Sequence, residues 1–561
     1  MNTSNSLSPR RSPEPNSQPP PPFWQGLLAR LMYGLSAVSA IVPVLVMFAV
    51  LMVFVYQSYI FSQRIPLFSF LTSARTLVSV KDTLLITAIA LLVAIPIGTM
   101  AAIYLSEYAS PAIRRILKPC LEALADLPTF VYGVFALILL ALIPSIFPFF
   151  SELGVRDTGV VIGVLIAPIV SFLSEKAIAK VPKSLRQRAS DIGLSKRKTI
   201  VNVVLRAASP GIVASFAVAA SRALGVTMIA VLLSGPGNLF MTDSILRGVR
   251  SFIPHVFPLG LVLLLMTVSL TSFGYWLLRH SPRSIRVRPV PNAVATSTPS
   301  ALHGTTFFRR LCDRGFAILG LSSALLGVVV ISLLLIASIT HSDNLFGTDL
   351  YQLSFFRPRW AEAAMNSAGL LLLTVLFSFP LSIGTALYLE EYAPNKRFKQ
   401  FLGFTIANLA TIPSILYGLV GLVIFVRWLR PWTHEGIVLP AALTLTLVVL
   451  PILTIELRAA LRAVPRALRQ AAYGRGMLRG QIISRIVLPA AFPGILAALL
   501  RSLSRIAGEM APLIVLGVGP FLGGDILFSP LVIGPIIFVN VAAGLLRDRY
   551  YHRRSSLLRS R

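Results

Sequence analysis

The chain has 561 residues, 55% of them hydrophobic and 13% charged, with a mean hydropathy of +0.78. Soluble domains carry about 25% charged residues, so a soluble enzyme, a disulfide scaffold and a disordered chain are excluded. The net charge is nonetheless +30, from 51 Lys and Arg against 21 Asp and Glu; where those charges sit decides between nucleic-acid binding and the loop bias of membrane proteins.

In chain order, residues 1–30 are expected to form a cytoplasmic tail. Its first 22 residues, rich in Ser, Asn and Arg and ending in Pro20-Pro21-Pro22, bury too little apolar surface to fold. The first apolar run begins too late and runs too long for a signal peptide. Twelve stretches then have the length and apolarity to cross a bilayer as helices, which takes about 20 residues each. Six fall near 34–57, 83–105, 123–147, 158–175, 208–234 and 255–278, and six near 315–339, 365–389, 401–426, 435–457, 490–516 and 526–546. Long Leu-rich runs without strand alternation exclude a barrel, so the fold class is an all-α membrane protein.

With the N-terminus inside, cytoplasmic segments hold 38 of the Lys and Arg and outside loops hold 10. The remaining three, Arg222, Arg501 and Arg505, lie within spans. This bias orients the chain with both termini cytoplasmic and makes nucleic-acid binding unnecessary. Cys120 and Cys312 both fall on the reducing side, so no disulfide is expected. The six His are scattered and give no metal-ligand spacing.

The two sets of six spans are copies. Pro96, Tyr104, Glu107 and Tyr108 recur at one shared offset as Pro380, Tyr388, Glu391 and Tyr392. Leu127-Pro128-Thr129-Phe130-Val131-Tyr132-Gly133 recurs, with the spacing one position longer, as Ile412-Pro413-Ser414-Ile415-Leu416-Tyr417-Gly418. Pro168, Pro182, Gly193, Pro210, Gly211, Arg222 and Gly225 recur at a common, slightly shorter spacing as Pro451, Pro465, Gly476, Pro493, Gly494, Arg505 and Gly508. Six spans per copy give both units one orientation, a parallel repeat about the membrane normal. The units are expected over 31–279 and 311–547, joined by a Pro/Ser/Thr/Arg-rich cytoplasmic linker over 280–310 and followed by a basic tail over 548–561.

After spans four and ten come two basic loops, Pro182–Pro210 and Pro465–Pro493. An apolar residue every three or four positions, interrupted once by glycine, predicts a short helix, a turn at Gly193 or Gly476, and a second amphipathic helix. Such an element lies on the membrane face and can present an apolar stripe to a partner; a plain interfacial helix is the bland alternative.

These loops resemble the E-A-A-…-G-…-L-P signature of ABC-type permeases. Gln187-Arg188-Ala189 and Gln470-Ala471-Ala472 stand in place of E-A-A; Gly193 and Gly476 are kept; Leu488-Pro489 is kept in the second half and becomes Leu205-Arg206 in the first. The Tyr104-to-Ala109 and Tyr388-to-Pro394 segments resemble the Y-L-x-E-Y-A-P of phosphate-specific ABC permeases, and the two P-[ST]-x-x-Y-G segments resemble that family's I-P-S-x-x-Y-G. Arg222-Ala-Leu-Gly225-Val226-Thr-Met228 is similar to its C-type pattern R-A-x-G-E-T-M, and Arg505-Ile-Ala-Gly508-Glu509-Met-Ala-Pro512-Leu513 to its A-type R-x-x-G-E-x-A-P-L. The resemblance covers nearly all of both units and implies a type I importer fold, with a C-type unit fused to an A-type unit.

It also implies the partners: two copies of a cytoplasmic ABC ATPase, one under each coupling loop, and an extracytoplasmic phosphate-binding protein. No Gly-x-x-x-x-Gly-Lys-Ser/Thr run occurs, so ATP belongs to the partner subunits, and the chain itself is expected to hold no cofactor and no catalytic group. The substrate would be inorganic phosphate, moved across the cytoplasmic membrane of a bacterium by alternating access.

A charge within a span costs a few kcal/mol on insertion scales and is expected to face a cavity or a partner. Arg222 and Arg505 hold equivalent positions, and a guanidinium donates a planar fork to an oxyanion. The resemblance assigns Arg222, Arg505 and Glu509 to the substrate pathway. Glu509 lies four residues after Arg505, one turn on if the helix continues, where the two can pair. In the first half Val226 replaces the family Glu, which leaves Glu509 across the interface or Asp126 as partners for Arg222. Helix stapling is the bland alternative for both arginines, and Arg501 either snorkels or extends the pathway. Glu107 and Glu391, at the inner ends of spans two and eight with Tyr108 and Tyr392, read as anchors and caps rather than substrate contacts. Pro128 and Pro413 should kink their spans. Competing functions are a fused ABC permease for ferric iron, thiamine or another oxyanion, an ion-coupled secondary transporter, and a regulatory scaffold; the coupling loops disfavour the secondary transporter.

Overall fold

The computed structural model describes residues 23–125, 155–191, 194, 196–225, 241, 244–245, 248, 255–280, 315, 317–325, 359–393, 395–429, 438–509, 511–517 and 542. In the first unit the main helices are α1 (Phe23–Ser62), α2 (Ala74–Ile103), α3 (Pro111–Ala125), α4 (Val155–Ala179), α5 (Lys183–Asp191), α6 (Arg206–Leu224) and α7 (Val256–His280). In the second they are α8 (Arg359–Leu387), α9 (Lys396–Leu409), α10 (Ser414–Gly421), α11 (Val438–Arg462), α12 (Arg466–Gly474), α13 (Leu488–Ala507) and α14 (Ala511–Val515). No strand occurs among the described residues. The fold is the expected all-α arrangement.

Among the described residues eight helices are long and apolar enough to span a membrane, and the bent pair Lys396–Leu409 with Ser414–Trp428 makes nine if it counts as one. These match nine of the twelve expected spans, α6 over its described part. The expected spans at 123–147 and 526–546 lie almost wholly outside the described residues, as does 315–339 beyond residue 325. Most of the tail over 1–30, the linker over 280–310 and the tail over 548–561 also lie outside. α1, however, already begins at Phe23, inside the expected tail.

The spans pack as membrane helices do, through small residues and self-satisfied hydroxyls. Along α2 and α4, Gly98 faces Val170, Gly159 faces Ile89 and Gly163 faces Val93, each close enough that a methyl group would clash. Buried Thr83, Thr87, Thr374, Thr444 and Thr454 return their hydroxyls to carbonyls four residues back. The largest core joins the two units, with Phe54 and Leu263 of the first packed in one cluster with Leu416 and Tyr417 of the second.

The first helix of each unit packs on the other unit. Thr385 on α8 donates to the Ser39 carbonyl of α1 at 2.7 Å, and Tyr33 lies edge-on to Tyr392 at 5.4 Å. Reciprocally, Gly320 packs against Tyr104 and the Met100 carbonyl. Met100 and Tyr104 are the repeat counterparts of Gly384 and Tyr388, which meet α1 at Ser39 and Tyr33. This exchange is two-fold related, the packing expected of a parallel repeat.

Two expectations are corrected. The span over 401–426 is not one kinked helix: it breaks after Leu409 and restarts at Ser414, turning by 93°. Pro413 occupies the N-cap with φ −54° and ψ 133°, since proline disfavours helical backbone in the residue before it. The buried Tyr417 hydroxyl then donates to the freed Leu409 carbonyl at 2.8 Å. Second, the amphipathic helix in each basic loop is not a separate element lying flat. Lys196–Thr199 runs through the π-helical Ile200–Leu205 into α6, and Arg479–Ile482 runs through Ile483–Val487 into α13. Because Ile200, Val204, Ile482, Ile483 and Val487 are buried, the apolar stripe faces the protein and carries the helix straight into its span.

Candidate functional site

The two arginine-bearing helices end alike. α6 carries Arg222 in its last turn and stops at Gly225; α13 carries Arg505 in its last turn and stops at Gly508. Glu509 therefore does not continue the helix. Its N–H donates to the Ile506 carbonyl at 3.1 Å, and the residue is 1% exposed in the turn between α13 and α14. The helical spacing expected for Arg505 and Glu509 is thus replaced by a turn, because the chain leaves the helix at Gly508, a residue type that weakens helical backbone. Val226 and Asp126 lie outside the described residues.

Both helix ends converge on α10. A Cβ on Gly225 would lie 3.0 Å from the Pro413 ring, and one on Gly418 would lie 2.9 Å from the Pro512 backbone. Pro413 and Gly418 are five residues apart, about 7.5 Å along a helix axis, so the Arg222 turn and the Glu509–Pro512 turn approach the same short helix. Beside it a polar seam crosses the units. Thr271 of α7 donates to Thr411 at 2.9 Å and lies 3.3 Å from Ser221, the neighbour of Arg222, while Ser272 donates to Asn408 at 3.2 Å. The seam was not foreseen; hydroxyls in apolar helices carry no distinctive spacing.

Arg501, one turn before Arg505, pairs with Glu456 of α11 at 2.8 Å. Of the two readings of Arg501, snorkelling is replaced by this inter-helix contact. Glu456, a lone acid near the end of the tenth expected span, is a membrane charge that sequence reasoning passed over.

At the opposite end of the spans the two basic loops repeat each other. Pro182 and Pro465 precede α5 and α12, where Ala189 and Ala472 are buried and Gln187, Arg188, Gln470 and Ala471 are exposed. Gly476 takes φ +74°, the left-handed turn for which glycine is suited; Gly193 lies outside the described residues. What holds each loop is an arginine that motif reasoning missed. Arg186 donates through Nε and Nη2 to Glu107 Oε1 at 3.1 and 2.8 Å, and caps the carbonyls of Ile178 and Val181. Arg469 pairs with Glu391 at 2.9 Å and caps Leu461 and Val464 at 2.9 and 2.8 Å. Further along each loop Lys196 lies over the Tyr108 ring at 4.4 Å and Arg479 over Tyr392 at 5.6 Å.

The Y-L-x-E-Y-A segment is thus an internal dock for the basic loop: its Glu takes an arginine and its second Tyr a cation. Both docks are π-helical, with Ala109 and Ala393 donating to the carbonyls of Tyr104 and Tyr388. Glu107 and Glu391, expected as membrane-boundary anchors and caps, instead pair with the loop arginines Arg186 and Arg469. The recurrence of 107/186 as 391/469 at nearly one offset was the signal that could have found them.

Two repeated helical units with matched loops, exchanged first helices and arginines at matched helix ends define a two-fold permease. The pattern of the family described as "Binding-protein-dependent transport system inner membrane component" matches residues 94–287 and again 378–541. The chain belongs to that family and carries two of its units. Among curated relatives, a phosphate transport system permease protein PstA homolog of Mycoplasma pneumoniae is 24% identical over 427 residues, 65% of each chain. The phosphate transport system permease protein PstC of Mesorhizobium japonicum is 28% identical over 31% of this chain and 63% of its own. The corresponding PstA of Mycobacterium leprae is 35% identical over 26% of this chain and 47% of its own. The chain spans about half to two thirds of the length of these relatives. No solved structure matches it.

Proposed function

We propose that the chain is the membrane-spanning permease of an ATP-driven importer of inorganic phosphate, with 31–279 as C-type unit and 311–547 as A-type unit. The observation that carries the reading is the duplicated coupling loop, clamped in each unit onto a Y-L-x-E-Y-A dock; an ion-coupled transporter has no use for two such loops. Relatives named as phosphate permeases of both types support the substrate. In this reading both termini and the basic loops are cytoplasmic, which follows from the Lys/Arg bias. Two copies of an ABC ATPase, which bind the ATP, dock under α5 and α12, and an extracytoplasmic phosphate-binding protein delivers the anion.

Arg222 and Arg505 offer forks to the phosphate oxygens near α10, and Glu509 balances charge when the path is empty. Access alternates as one unit rocks against the other, and the clamped loops pass ATPase movement to the ends of spans two and eight. Purified complex in proteoliposomes tests this: ATP-dependent uptake of phosphate, competed by arsenate more strongly than by sulfate or molybdate, is expected. Uptake that survives ATP depletion while a proton gradient is kept would refute it.

A further inference from the structure

The ion pairs at the docks sit at helix ends beside the basic loops, but the Arg501–Glu456 pair sits deeper. Glu456 lies six residues before the end of α11, about 9 Å along its axis. The Arg501 side chain is 7% exposed and that of Glu456 23%. Taking two charges out of water costs several kcal/mol per ion, and well-packed apolar residues in their place are often neutral or stabilising. The fold alone gives no reason to keep the pair.

The molecule contains its own control. The repeat counterparts in the first unit are Leu173 and Val218, on α4 and α6. There the same two helices are joined by Ser174 and Ser215, whose hydroxyls lie 2.8 Å apart. Ser174 and Ser215 in turn correspond to Leu457 and Ala498. One unit ties these helices with a neutral hydrogen bond and the other with an ion pair whose arginine is buried and whose carboxylate is partly exposed, so the charge serves something the tie does not need.

Arg501 precedes Arg505 by one turn, on the same face of α13, with about 5–6 Å between their Cβ atoms. We propose that Arg501 is a second anion station of the permease, beside Arg505 on the side toward the coupling loops, and that Glu456 is its resident counter-ion. Carboxylate and phosphate present the same pair of oxygens to the guanidinium fork. The passing anion displaces Glu456 from Arg501, and the partly exposed carboxylate takes up solvent until the anion leaves. The proposal rests on the phosphate-import reading and names a residue of that pathway.

The test uses the full chain reconstituted with its ATPase and binding protein. Absence of ATP-driven phosphate uptake by the unaltered chain would defeat the import reading itself. Given that uptake, three variants address Arg501. Glu456→Leu and Arg501→Val, with Leu457→Ser and Ala498→Ser, copy the first unit's Leu173, Val218 and serine tie, and this variant is expected to insert and resist heat as the unaltered chain does. Arg501→Glu with Glu456→Arg keeps the tie and moves the cation to α11. Both should lose uptake by about tenfold or more, the value of a charged hydrogen bond. Arg501→Lys, which keeps the ion pair and the fold but not the fork, should raise the phosphate concentration for half-maximal uptake severalfold. Unaltered uptake by any of the three variants would reduce the pair to a helix tie and overturn the proposal.

Discussion

The two units share a frame and differ in where they put charge. The arginines at the helix ends, the loop clamps and the docking tyrosines recur in both units. The salt bridges of the amphipathic helices do not. In the first unit Arg114 and Lys118 of α3 meet Glu175 on α4. In the second, the position of Glu175 is held by Arg458, and the acid has moved to Glu390, which gathers Lys399 at 3.2 Å and Arg458 and Arg462 at 2.9 Å each. Glu390 replaces Ser106. Duplicated contacts mark what every unit must do; contacts present once mark a local solution or a task given to one unit. The second unit also holds Glu509, Arg501 and Glu456, whereas the described counterpart of Arg505 in the first is Arg222.

The largest effects should come from the duplicated arginines. Arg222→Ala and Arg505→Ala each remove a fork from the path, and each should lower phosphate uptake by about a hundredfold, two charged hydrogen bonds' worth, without preventing insertion. Comparable losses would make the anion path a property of both units. Losses differing by about tenfold would assign it to one.

Next come the clamps. Arg186→Ala and Arg469→Ala leave Glu107 or Glu391 without its loop arginine and uncap two carbonyls. Each should let the ATPase turn over while phosphate moved per ATP falls about tenfold, a charged bond at partial burial. Lysine should not restore it, since one ammonium cannot span the carboxylate and both carbonyls. Unequal effects of the two substitutions would show that the ATPases drive the units by different routes.

A smaller effect tests the exchanged acid. Glu390→Ser removes the partner of three cations and should cost about 2 kcal/mol in detergent unfolding, below a fully buried break because Arg462 is largely exposed. Adding Arg458→Glu returns an acid to the repeat position of Glu175 and should recover part of that loss. Failure to recover would show that the two salt-bridge patterns are not interchangeable.

These differences also explain what the sequence disclosed. Spans and repeat were legible because twenty-residue apolar runs and the Pro and Gly positions survive divergence at a fixed offset. The break at Pro413 was not, since Ile412 and Ile415 keep the hydropathy high across it; only the geometry separates a kink from a 93° turn. Arg222 and Arg505 stood out because they interrupt apolar spans, and Glu509 because it follows Arg505 in the R-x-x-G-E pattern. Arg186 was hidden as one basic residue among many, with its partner 79 residues away, and Glu456 was hidden near the end of a span.

The smallest effect lies where the units meet. Thr271 of α7 donates to Thr411 beside the break in the second unit, and the repeat counterpart of Thr411 in the first unit is Asp126. Hydroxyl bonds between membrane helices are worth about 0.6 kcal/mol on average, so Thr271→Val and Thr411→Val should each be mild. Their double-mutant cycle in detergent unfolding isolates the bond from the packing of Gly225 on Pro413 next to it. A coupling of about 0.6 kcal/mol would show that the seam adds a weak polar tie to the apolar core that joins the units. A coupling near zero would leave the junction to its apolar contacts, the core that joins Phe54 and Leu263 to Leu416 and Tyr417 and the packing of Gly225 on the Pro413 ring.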